Sequence, residues 1–231
     1  MYAFINSEAS DEIMSPLKKE GFYIVPIPPF PKLAGPVSTH TDMLMFSCES
    51  TVFLPKDYVF PDMQALKTAF ENIIYINEPF SEKYPNDVRL NIALVGNDVF
   101  VNVKYASKTV LEYLYRQGKK IHHVAQGYAH CSVCILSDEA IITSDSGIAD
   151  CARKAGKDVL VIEKGNVSLP PYNYGFIGGA SGCVNGKVYF CGSYHLHPSK
   201  DSIDSFCKKH GVTPVSLGSL PLSDVGGILF A

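Results

Sequence analysis

The sequence predicts an α/β protein: a five-bladed α/β propeller of hairpin–helix–strand units around a pseudo-fivefold axis. Three observations predict it. Five times, a short amphipathic helix runs directly into a β-branched strand. Hairpins with Gly, Asn, Ser or Asp at their turns lie between these helix–strand pieces. The chain also begins and ends in apolar, strand-like segments that can pair with each other and close the ring. Residues 1–231 are therefore expected to form one domain.

The helices are expected over 13–21, 62–70, 109–118, 148–156 and 203–211. The strands that follow them are expected over 22–25, 73–76, 121–124, 159–162 and 212–216. In four of the five, a glycine (21, 118, 156 or 211) ends the helix, as a left-handed C-terminal cap requires. One hairpin joins 43–46 to 51–54, and a second joins 90–95 to 99–103 around Gly96-Asn97-Asp98. A third joins 132–136 to 140–143. A fourth runs from Phe176 onward to 188–190, with Asn185-Gly186 at its tip. The fifth is made by the two ends, 225–230 against 2–5, which removes two exposed sheet edges. An open mixed sheet with the same elements is the alternative.

Composition narrows the function. Apolar residues make up 46% and charged residues 19%, the balance of a globular chain, and a net charge of −3 offers no basic face for nucleic acid. No apolar run reaches the roughly eighteen residues of a membrane span, and the N-terminus lacks the basic start of a signal peptide. Seven cysteines without a pairing framework read as reduced thiols of a cytoplasmic protein.

His40-Thr41-Asp42 precedes an apolar run. If it is extended, His40 and Asp42 face the same side. Phe176-Ile177-Gly178-Gly179 precedes the strand pair around Asn185-Gly186. Five units with these two segments resemble the guanidine-group-modifying superfold, the penteins. The resemblance covers the whole chain by unit order. It implies a cysteine nucleophile, a histidine proton shuttle and carboxylates that hold the planar guanidinium fork. His40-Thr-Asp42 is similar to that family's His-x-Asp/Glu segment, and 176–179 to its Glu-Gly-Gly-Asp hairpin, with Ile177 and Ala180 at the two acidic positions. The family's nucleophile stands near the C-terminus. Here Gly226-Gly227 is followed only by Ile-Leu-Phe-Ala. The segments 126–131, 175–182 and 222–226 look like an uncharacterised branch of the fold.

Laying the units over one another, with Val52-Phe-Leu54 on Val99-Phe-Val101, puts Asp87, Arg89 and Asn91 at the places of His40, Asp42 and Leu44. Tyr128, His130 and Cys131 come to the same neighbourhood in the next unit, and Asp224 in the closing one. Polar groups at equivalent places of a ring converge on one cavity, as a small-molecule site requires. The candidates are thus His40, Asp42 and Cys131 for chemistry. For ligand contact they are Asp87, Arg89, Asn91, Gln126, Tyr128, Gly178, Gly179 and Asp224. His40 and Asp42 also read as an exposed pair at a strand entrance, and Asp87 and Asp224 as turn formers. The glycines of 175–182 permit either a ligand against backbone N–H groups or tight strand packing.

Other motifs are weaker. Cys131-Ser-Val-Cys134, read as strand, puts its thiols on opposite faces, so it suits neither a shared metal nor a redox pair. His195-Leu-His197 reads as a structural loop, His122-His123 as one inward and one outward residue, and Asp145 as a helix N-cap. Neither a phosphate-binding loop nor a dinucleotide fingerprint is present around Gly186-Lys187. No metal and no cofactor are expected. The leading expectation is a polar axial cavity binding a guanidino or amino-acid-like small molecule, with a lapsed or non-standard site. A hydrolase or amidinotransferase acting on amidine or guanidine C–N bonds is the alternative, and a non-catalytic protein-interaction ring is a third.

Overall fold

A computed structural model describes all 231 residues. Its strands form five separate three-stranded sheets and no single closed sheet. β1 (Tyr2–Asn6) is followed by α1 (Asp11–Lys19) and β2 (Tyr23–Ile27). A short helix α2 (Thr41–Leu44) leads to β3 (Phe46–Cys48), β4 (Thr51–Pro55), α3 (Met63–Ala69) and β5 (Asn72–Ile76). The third unit is β6 (Ala93–Val95), β7 (Asp98–Val101), α4 (Lys108–Arg116) and β8 (Lys120–His123). The fourth is β9 (Val133–Ser137), β10 (Ala140–Thr143), α5 (Ser146–Lys154) and β11 (Asp158–Val161). The fifth is β12 (Ser181–Val184), β13 (Lys187–Phe190), α6 (Lys200–Lys209) and β14 (Thr213–Ser216), after which β15 (Leu229–Phe230) ends the chain.

Each unit follows one rule. The first two strands pair antiparallel and the third pairs parallel to the middle one, the helix making the crossover that a parallel pair demands. The hairpin of the first unit is made by the two ends, with Ala3 opposite Phe230 and Phe4 opposite Leu229. The expected pairing of the termini is therefore present.

The local chemistry explains the helices. Asp145 caps α5, its carboxylate accepting from Ile148 N at 2.8 Å, and Asp62 caps α3 in the same way from Ala65 N at 2.9 Å. One face of each helix is buried: Val110 and Leu114 of α4, Ile148 and Ala152 of α5, Ile203 and Cys207 of α6. Each fully buried large apolar side chain stabilises by about 1.5–3 kcal/mol. The four terminal glycines take φ between 66° and 90°, where only glycine is unstrained.

Several expected strands begin later than the sequence indicated, and the delays before β3, β9 and β12 affect the site. Residues 40–42 do not form one extended segment: His40 is extended but caps α2, in which Thr41 and Asp42 are helical and Met45 N donates to Thr41 O at 2.7 Å. Residues 43–46 are all apolar and all buried, so the run has no alternation to separate strand from helix. Cys131 lies in a turn in which Ser132 N donates to Tyr128 O, and β9 starts only at Val133. The opposite-face argument for Cys131 and Cys134 therefore does not apply, although both are buried. Residues 176–180 form turns, with Ala180 N on Phe176 O at 3.1 Å, and β12 starts at Ser181. No helix is long and apolar enough to cross a membrane.

Candidate functional site

The segments leading into β3, β9, β12 and β15 line a cavity of about 290 Å³. His40, Tyr128, Cys131 and Asp224 line it with polar atoms, while Leu169, Tyr172, Tyr174 and Phe176 supply an apolar and aromatic wall. None of its lining residues is Lys or Arg.

Backbone packing places these groups. Asn91, fully buried, accepts from His130 N at 2.8 Å and from Cys131 N at 3.2 Å, and its amide donates to Cys131 Sγ at 2.9 Å. It thereby orients the thiol from behind. Asp42 N donates to Gly226 O at 3.0 Å, joining the first polar segment to the end of the chain. Gly226, at φ 80°, presses on His40: a Cβ there would lie 2.3 Å from His40 Cα, so no side chain can stand at 226. Gly178 and Gly179 serve the same close approach, since added Cβ atoms would meet His130 O at 2.2 Å and Asp224 Oδ1 at 2.0 Å. Of the two readings of this glycine run, tight backbone packing is the one the contacts display.

Two histidine–carboxylate pairs flank Cys131. His40 Nδ1 lies 3.7 Å from Asp224 Oδ1, with the two side chains 2% and 1% exposed. His130 Nδ1 lies 3.5 Å from Asp42 Oδ2, with exposures of 32% and 1%. Both ring nitrogens of His40, both oxygens of Asp42 and His130 Nδ1 are buried without a hydrogen-bond partner in the protein. Such groups cost free energy unless something satisfies them. Asp224 is partly satisfied, accepting from Phe176 N at 2.8 Å and Gly226 N at 3.1 Å. Burial pushes its carboxyl up to about 6, with the His40 charge opposing and Asp42 adding to the rise. Burial and the charges of Asp42 and Asp224 push the Cys131 thiol well above the usual range.

The other sequence candidates divide. Asp87 supports the cavity indirectly: its carboxylate accepts from Tyr128 OH at 2.6 Å and holds that ring in the wall. Burial raises its carboxyl despite that bond. Arg89 does not reach the cavity. Its guanidinium donates to Tyr105 O at 2.8 Å and to Asn86, because the segment before β6 is irregular and the two-residue alternation fails there. Gln126 also lies outside, bridging Tyr128 N and Asp145. His122 is half-buried and His123 exposed. His197 sits beside the 3-10 turn Tyr194–Leu196, its Nδ1 accepting from Ser199 N. No group of three or more His, Cys, Asp or Glu side chains is arranged to hold a metal.

Sequence reasoning did not assign the aromatic wall or a role for His130. The wall left a signal: Tyr172, Tyr174 and Phe176 alternate at every second residue, as residues of one extended face do. Phe176 stacks on Tyr128 at 6.1 Å.

Among solved structures, similarity extends over nearly the whole chain at low sequence identity. The dimethylarginine dimethylaminohydrolase of Pseudomonas aeruginosa matches with a TM-score of 0.58 at 8% identity, covering 94% of this chain and 92% of that one. An amidinotransferase of saxitoxin biosynthesis from Microseira wollei matches at 0.60 and 11%, covering 97% and 89%. The N-terminal domain of an arginine dihydrolase of the cyanobacterial ornithine–ammonia cycle matches at 0.54 and 10%, covering 98% and 94%. These likenesses show the pentein fold. No curated protein sequence matches. The profile of DUF6873, a family of unknown function, matches residues 4–229, and the chain belongs to that family.

Proposed function

We propose that this protein cleaves or transfers at a C–N bond of a cationic amidine or guanidine, with Cys131 as the nucleophile. The observation that carries the reading is the convergence of buried Cys131, His40 and Asp224 on one cavity lined by no Lys or Arg, with both ring nitrogens of His40 lacking a partner and Asp42 buried behind them. A planar cation answers each of these features. Its N–H groups meet the Asp224 carboxylate, its charge offsets that acid, and the aromatic wall accepts its stem. The matched structures come from enzymes whose names include a dimethylaminohydrolase, an amidinotransferase and an arginine dihydrolase, which agrees with this substrate class.

The same cation supports the chemistry. In the free protein burial, with the charges of Asp42 and Asp224 adding to it, disfavours the Cys131 thiolate, and the charge of a bound guanidinium opposes those acids and favours it. Sγ then bonds to the central carbon and the C–N bond breaks. His40 supplies the proton that the departing amine takes, and water, or an acceptor amine, later displaces sulfur. Asp224 orients His40 and binds the cation. The nucleophile comes from the segment before β9, because Gly226 leaves no room for a side chain beside His40.

We read the five sheets as units of one domain, residues 1–231, around a common axis with the cavity at one end. The seven unpaired thiols fit a cytoplasmic setting. A second reading, a binding protein without turnover, is favoured by one observation: the environment that disfavours the Cys131 thiolate.

Incubation with a panel of guanidino and amidino compounds separates the two. We expect amine or ammonia release and a covalent adduct on the Cys131 peptide, with turnover falling at least about 10³-fold in Cys131→Ser. Thermal stabilisation without release, in both forms, would leave only the binding reading. No stabilisation and no release would remove both and favour a protein partner.

A further inference from the structure

We infer that the cavity, taking amidines or guanidines as proposed above, selects those whose stem is apolar and carries no carboxylate; this rests on that reading. Guanidino acids and amino acids of the same length are disfavoured.

The charge pattern of the lining points there. One acid, Asp224, borders the cavity together with no Lys or Arg. Its side chain is 1% exposed, and Asp42, equally buried, stands behind the layer. The lining histidine, His40, lies 3.7 Å from Asp224 and belongs to the reacting end. A monocation matches this field. A zwitterion adds a charge of the sign already present and meets no counter-charge along the wall. Two cations lie beyond the lining. Arg89 is held by Tyr105 O at 2.8 Å and by Asn86. Lys164 is exposed, with Nζ 5.0 Å from the centroid of the Tyr174 ring, and does not border the cavity.

Neutral donors do not replace a cation there. In the wall segment, the backbone N–H groups of Tyr172, Gly175 and Phe176 donate to Leu169 O at 2.8 Å, Val167 O at 2.7 Å and Asp224 Oδ2 at 2.8 Å. The Tyr128 hydroxyl donates to Asp87 at 2.6 Å. Among wall side chains, the Asn173 amide and the hydroxyls of Tyr172 and Tyr174 remain. None carries the charge that makes a carboxylate contact strong. The rings instead suit an apolar stem. Tyr128 and Phe176 stack with centroids 6.1 Å apart and planes 25° apart, and Tyr174 stands at 86° to Phe176. With Leu169 and Met43 they form a corner that removes an alkyl chain or a flat ring from water.

Two matched pairs of compounds test this: butylguanidine against γ-guanidinobutyrate, and benzamidine against p-carboxybenzamidine. Wild type is read as kcat/KM for amine or ammonia release, and Cys131→Ser as Kd by calorimetry. The member without a carboxylate should be favoured by about tenfold to 100-fold in each pair. Asn173→Arg, at an exposed position of the wall, supplies the missing counter-charge and should shrink that ratio by at least about fivefold. Asn173→Gln should leave the ratio as it is, and melting curves check that both variants fold.

Release or binding that favours the carboxylate members, or treats the pairs equally, would overturn the inference and leave the proposed function standing. A ratio that Asn173→Arg does not move would overturn it too, since shape and not charge would then discriminate. Tighter binding of the carboxylate-free members without release would support it, and would reduce the site to the binding reading. No binding and no release with any of the four compounds would overturn the inference and the proposed function together.

Discussion

Two clusters in this protein combine histidine with aspartate, and they are built in opposite ways. At Asp98, in β7, every charge is matched. Oδ1 pairs with His122 Nε2 at 2.7 Å and Oδ2 with Lys157 Nζ at 2.9 Å, and Lys157 donates again to Asp138 O at 2.7 Å. Burial would raise the Asp98 carboxyl, but these bonds prevail and lower it. The cluster ties the β6–β8 unit to the β9–β11 unit. Around Cys131, His40 and Asp42 are left without hydrogen-bond partners, and at Asp224, which keeps two backbone bonds, burial wins. A satisfied cluster has done its work once the chain is folded. An unsatisfied one at a cavity keeps its hydrogen-bonding capacity for a ligand.

The comparison can be broken at either end. The largest effect is expected from Asp98→Asn, which leaves Lys157 buried without a counter-charge; denaturant titration should show a loss of about 3 kcal/mol. A loss below about 1 kcal/mol would mean that the cluster is not a structural tie.

The second effect is pH-dependent. The folded-state pKa of Asp224, about 6, lies above the ordinary 3.8, so the folded protein binds more protons across that interval. Wild-type stability contributed by this group is present below the lower value and is lost as pH rises toward the upper one. Asp224→Asn removes the titration. Its stability relative to wild type should therefore climb between pH 4 and 6, by on the order of 2 kcal/mol. A flat difference would show that Asp224 does not titrate in this window.

A smaller effect belongs to the aromatic wall. Phe176→Ala should weaken binding of a cationic guanidino ligand by about tenfold, read as KM or as the midpoint of ligand-induced stabilisation. Unchanged affinity would move the ligand away from the wall. The smallest is Glu112→Gln, which breaks a pair to Arg116 whose side chains are 68% and 77% exposed. Thermal unfolding should change by less than about 0.5 kcal/mol.

The same contrast explains what could be read without coordinates. The five helices, their glycine caps and the strands after them were legible because each is a local pattern in which sequence neighbours are spatial neighbours. The pairing of β15 with β1 was legible by elimination, since one hairpin was missing. His40 and Asp42 were selected as residues, but with the wrong geometry. Strand alternation does not hold in a segment that turns into α2. Arg89 was included on the same assumption, and its backbone partners hold it elsewhere. Asn91 appeared as a ligand contact, and its amide instead orients the Cys131 thiol.

By itself the sequence determined the repeat, the order of units and the polar residue types available near their entrances. Hydrophobic periodicity and capping act over a few residues, so a linear reading captures them. Only the tertiary structure decided that His40 pairs with Asp224, His130 with Asp42, and that Cys131 stands between them. Those contacts join segments up to 184 residues apart, from 40 to 224. They form in irregular turns, where neither the period of a helix nor that of a strand fixes the direction of a side chain. Packing against Gly226, Gly178 and Gly179 fixes it instead.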